Sequence, residues 1–89
     1  MELRETVDGM LSDNYKERFV AEFQQVVIRG EKLEKILVKY KNDKLDFTPD
    51  SSIGLLFTQA HILGAYMGVL VERANQEGIE LTIELDEGE

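Results

Sequence analysis

The chain has 89 residues, a formal net charge of -8 and no cysteine, which bounds it to one small domain and excludes disulfide staples, thiolate nucleophiles and thiolate metal sites. The acidic balance argues against a nucleic-acid surface, because phosphate contacts need clustered Lys and Arg. So short a chain buries proportionally little surface, and self-association is the expected route to stability.

Residues 1–11 read as an N-terminal arm. Leu3, Val7 and Met10 sit at helical spacing but Gly9 interrupts them, leaving a short helix or a loose segment. The stretch lacks the apolar core of a signal peptide, so a cytoplasmic location is expected. Ser12, Asp13 and Asn14 are all good N-caps. A heptad seam follows at once in Tyr15, Phe19, Phe23, Val26, Gly30, Leu33, Leu37 and Tyr40, predicting a long helix packed at a shallow angle on another. Gly30 costs about 1 kcal/mol in a helix interior relative to Ala, so a close helix approach or a bend is expected there.

Asn42 to Asp50 predicts a short turn, and Thr48-Pro49-Asp50-Ser51 reads as a helix start with Pro at its first position. Ile53 to Val71 then runs nineteen residues with no Asp, Glu, Lys or Arg, His61 being its one basic side chain. In a chain that is 31% charged, such a run must be buried. Its seam is Ile53, Leu56, Ala60, Leu63, Met67, Leu70 and Ala74, and a second face (Leu55, Ile62, Tyr66, Val69) is apolar as well. One partner helix cannot cover both faces. Gly78 is placed as a left-handed cap. From Ile79 to Leu85 apolar residues alternate with Glu80, Thr82 and Glu84, predicting either a paired strand or a tail.

These elements predict an all-α fold, an antiparallel hairpin of two long helices over residues 12–78 that self-associates. Residues 79–89 form an acidic strand-like tail. Small residues at Ala60, Gly64 and Gly68, with Tyr66 beside them, are the expected oligomer interface. Charge is uneven: Arg29 to Lys44 holds six bases and three acids, whereas Glu72 onward holds seven acids and Arg73. The molecule should have a basic end and an acidic end.

Catalysis has little support, for the chain has no Gly-rich phosphate loop, no Ser with a nearby His and no paired-His motif. No catalytic residue, metal or cofactor is expected. His61 reads as a partly buried histidine bonded to Gln59, Tyr66 or a neighbouring chain. Although the apolar run has the length of a membrane span, Thr58, Gln59 and His61 lie near its middle and acidic residues flank it, so no membrane insertion is expected. The best ligand seat is the turn end, where free N–H groups beside Thr48, Ser51 and Ser52 face an anion and Lys35, Lys39 and Lys41 supply counter-charge. The competing reading is that the hydroxyls cap the helix and the lysines complement a helix C-terminus.

The segments N-Y-K-E-R-F-V-A-E-F from Asn14, E-K-L-E-K-I-L from Glu31, L-D-F-T-P-D from Leu45 and G-A-Y-M-G-V-L-V-E-R-A-N-Q-E-G-I-E-L from Gly64 resemble a family of small phage and prophage proteins first catalogued in crAss-like phages. The resemblance covers Ser12 to Leu81 and implies a phage accessory protein of the host cytoplasm, with no catalytic residues to transfer. In size and layout alone, the chain is similar to helical-hairpin phage proteins that oligomerise and sequester cyclic-nucleotide immune signals. The expected function is therefore non-enzymatic: a homo-oligomer that counters host defence by sequestering a small anionic nucleotide. The alternative is an interaction module docking on a phage or host protein.

Overall fold

A computed structural model describes residues 1–84. The N-terminal arm is ordered helix. A capping box at Glu2 starts a 3-10 turn over Leu3–Thr6, which continues into α1, Val7–Met10. Gly9 is what lets this arm pack: a Cβ there would stand 3.1 Å from the Ala21 Cβ. Thr6, 1% exposed, is held by donating to the Leu3 carbonyl at 2.7 Å and accepting from Gln25 at 2.9 Å.

Asn14 turns the chain into α2, Tyr15–Lys41, its Oδ1 accepting from the N–H groups of Lys16 and Glu17 at 2.8 and 3.3 Å. Those are two of the four donors that every helix start leaves without a partner. At the far end Lys44 N–H donates to the Lys39 carbonyl and Asp43 N–H to that of Tyr40, with Asp43 left-handed at φ 55°. This is a Schellman closure with aspartate where glycine is usual. The second long helix, α3, spans Ile53–Glu77. It starts later than expected, because the Ser52 Oγ accepts from Leu55 N–H at 3.2 Å and so caps the helix; Pro49 lies in the turn, outside the first helical position. Gly78 closes α3 at φ 68°, as expected.

The two long helices form the hairpin, 43 Å in its longest dimension, close to the ~40 Å that 27 helical residues span. Its core is concentrated at the open end, away from the turn: Phe19, Val26, Leu70, Ala74 and Ile79 are buried together, with Phe23, Leu63, Met67 and Leu81 packed on them. No strand occurs among the described residues. Within one chain residues 79–84 pair with no strand, while Leu85 to Glu89 lie outside the described residues. This tail is anchored, for Ile79 is buried and Thr82 accepts from Gln24 through its carbonyl at 2.9 Å.

Two expectations are corrected. No close approach is found at Gly30, where a Cβ would meet nothing within 4 Å, because the seam opens there into a groove of about 300 Å³ bordered by Ala60, Leu63, Gly64 and Met67. The apolar run is not buried within one chain either. Leu70 and Ala74 are the buried residues of α3, and its most apolar window is 6% buried with a mean hydropathy of 1.5. By length and composition α3 is able to cross a membrane, although its seam lies against α2.

Candidate ligand cleft at the turn

The turn end carries a cleft of about 510 Å³ lined by Tyr40, Lys41, Asp43, Leu45, Phe47, Thr48 and Pro49. The Schellman closure makes it, folding Leu45 and Phe47 back toward the end of α2. Phe47 remains half exposed, and the Lys41 Nζ stands 5.3 Å from the centroid of Phe57 on α3. Lys41 thus stands between this cleft and the neighbouring cavity that Phe57 lines with Ala60 and His61.

The six residues expected to bind a ligand are only partly brought together. Lys41 and Thr48 line the cleft. Ser52 caps α3 with its hydroxyl and Ser51 is exposed beside it. Lys35 and Lys39, four residues apart, share the other side of α2. Asp43, Asp46 and Asp50 match Lys39, Lys41 and Lys44 in number from Lys39 to Ser52. An anion there depends on local aim more than on net charge.

The four residues expected at an oligomer contact also divide. Tyr66 is two positions from both Gly64 and Gly68, so it lies about 160° around the helix from each. Gly64 and Gly68 are exposed, and a Cβ on either would meet nothing within 4 Å. Ala60, half-buried, borders the groove between the helices. His61 is exposed on an adjoining cavity with Glu34, Lys41 and Phe57, and Tyr66, one of its expected partners, donates instead to Glu22. No group of three or more His, Asp or Glu side chains able to hold a metal is found among the described residues.

A polar clasp at the open end was missed in the sequence. Tyr15 donates from its hydroxyl to Glu77 at 2.6 Å and accepts from Arg73 at 3.0 Å. Arg73 also bonds Glu77 at 3.2 Å and covers the Phe19 ring at 4.9 Å. The bond to Glu77 raises the Tyr15 phenol above its ordinary pKa, and the same bond holds the Glu77 carboxyl below the usual range. Desolvation pulls the Arg73 guanidinium down, but its bonds to Glu77 and Tyr15 outweigh it and leave the group raised. The bond to Glu22 likewise raises Tyr66. The four-residue step from Arg73 to Glu77 is a readable signal; Tyr15, 62 residues from Glu77, carries none. The clasp ties helix ends together.

No curated protein and no solved structure matches the chain. Residues 13–76, spanning both long helices and the turn with its cleft, match the family model named Sequestin, and the chain therefore belongs to the Sequestin family.

Proposed function

We propose that the protein is a non-enzymatic phage accessory protein of the host cytoplasm that sequesters a small anionic nucleotide, of the cyclic signalling kind, and so counters host defence. The observation that carries this reading is the turn cleft. Tyr40 and Phe47 offer faces on which a base can stack, and Lys41 offers a charge-assisted bond to phosphate. The family's name supports a binding role over a catalytic one. The protein acts as a homo-oligomer through α3, whose exposed apolar surface one chain leaves uncovered; Tyr66 is a proposed contact on one flank, and Gly64 and Gly68, with Ala60 at the groove, are proposed contacts on the other.

Calorimetry with a panel of cyclic and linear nucleotides tests the binding. Lys41→Glu removes a charged hydrogen bond, typically ~1.5 to 3 kcal/mol, and should weaken binding roughly tenfold to a hundredfold. Lys35→Glu and Lys39→Glu, on the other side of α2, should cost much less. Absence of binding by the unaltered protein, or equal binding by Lys41→Glu, defeats this reading. It would favour the second one, an interaction module docking on a phage or host protein, which the exposed apolar flank of α3 supports.

A further inference from the structure

Leu55, Gln59, Ile62, Tyr66, Val69 and Arg73 make a second heptad seam on α3, with steps of four, three, four, three and four. It lies beside the seam that packs on α2. Leu55, Ile62 and Val69, seven residues apart, are 64%, 59% and 57% exposed. The bond from Tyr66 to Glu22 fixes which side of α2 this flank adjoins. Arg29 and Ile36 repeat Glu22 at seven-residue steps on that side. Together they form a broad face, apolar along its middle, that no part of the described chain covers.

We propose that this face pairs with its own copy about a two-fold axis perpendicular to the hairpin, centred near Ile62, so that the two α3 helices run antiparallel. The inference rests on the reading that the chain self-associates, and adds the surface and the orientation. Area supports a second copy as the occupant. The chain exposes 6511 Å², against ~5,300 Å² for a compact monomer of its 10.2 kDa mass. The elongated shape accounts for part of the excess, and one side of a standard interface needs ~800 Å².

Charge supports the orientation. A two-fold perpendicular to the long axis sets the near-neutral turn end of one copy against the acidic open end of the other, where Glu72, Glu80 and Glu84 lie, and so keeps the two acidic ends apart. A parallel pair would set like against like. Arg29 and Lys39 border the pairing face, and Lys41 stands on the opposite flank, leaving the turn cleft open. In such an isologous contact Ile62 meets Ile62, and Leu55 meets Val69 in both directions.

Because the chain has no cysteine, single introduced cysteines report the geometry cleanly. Sedimentation velocity first measures whether the unaltered chain is a dimer or larger. Under mild oxidation Ile62→Cys should then cross-link to itself, and a mixture of Leu55→Cys and Val69→Cys chains should cross-link to each other. Leu55→Cys alone should not, since its two copies would stand ~21 Å apart along the helix axes, far beyond the 4.4 to 6.8 Å Cα separation of a disulfide. Ile62→Asp should yield a monomer of unchanged helicity, Ile62 being exposed within one chain. An oligomer in which Leu55→Cys self-links, or in which Ile62→Cys does not, overturns the antiparallel face and leaves self-association standing. A monomer at all concentrations overturns both. So does a monomer that sediments with neutral phosphatidylcholine vesicles, which would identify lipid as what covers this flank.

Discussion

Two leucines of one helix provide the sharpest test of how α3 is rotated. Leu70 is 1% exposed against Phe19, Val26, Ala74 and Ile79, whereas Leu55 is 64% exposed. Truncating each to Ala removes the same atoms. At Leu70 the loss combines transfer with a cavity, since Phe19 and Val26 are held by their own packing, and Leu→Ala at such sites costs ~2 to 5 kcal/mol. Taking about 3 kcal/mol, at ~4 to 8 °C per kcal/mol for a domain of this size, the midpoint should fall by roughly 12 to 24 °C. At Leu55 little burial is lost and no cavity forms, so the cost within one chain should stay near ~0.5 kcal/mol. Thermal melts followed by far-ultraviolet circular dichroism, run dilute enough for a monomer, measure both. Raising the concentration should enlarge the Leu55→Ala deficit and leave the Leu70→Ala deficit unchanged. Equal costs in dilute solution would refute the rotation of α3 and with it the pairing face.

Three further outcomes follow from local geometry. Gly30→Ala should stabilise the chain by ~0.8 to 1 kcal/mol in urea unfolding, because the helix gains propensity and the new Cβ meets nothing within 4 Å; destabilisation would mean that the helices are closer than described. Gly78→Ala should lose ~1 to 2 kcal/mol for its left-handed backbone alone. The clasp predicts two pH effects of opposite sign. Glu77, with a lowered folded pKa, contributes stability that is present above the ordinary glutamate range and lost as pH falls through its folded value. The midpoint difference between the parent and Tyr15→Phe should therefore shrink in acid. Tyr15 and Tyr66, with raised folded values, contribute below the ordinary phenol pKa and lose that contribution as pH rises past it. In phenolate absorbance each Tyr→Phe substitution should remove a late-ionising group.

The hairpin was legible because its signals are local and repeated. The seam from Tyr15 to Tyr40 and that from Ile53 to Ala74 fix two long helices, the caps at Asn14 and Gly78 bound them, and a short turn forces them antiparallel. What could not be read depends on distant residues. Gly9 looked like an interruption because its reason, the Ala21 Cβ, is twelve residues away. Gly30 looked like a close approach because periodicity records which face a residue occupies and says nothing of the distance to the opposite helix. At the turn the lysines were grouped by sequence proximity, although Lys39 and Lys41 stand ~160° apart on α2. The tail's alternation was real, but burial of Ile79 and Leu81 on the core uses that pattern without a strand partner.

The lopsided core divides the molecule into parts of unequal local stability. At the open end Phe19, Leu70 and Ile79 interlock, and the tail is tied back to Gln24. Toward the turn α3 contributes no buried residue before Leu70, and Leu37 is the buried residue of α2 there. Local openings draw on the region with the fewest buried contacts, so the turn end can splay and reclose while the open end stays folded. Amide exchange would then be graded along the hairpin, fastest around 40–56 and slowest around 19–26 and 70–74. A ligand seated in the cleft would be admitted by this breathing and would suppress it on binding, leaving a footprint of slowed exchange confined to one end.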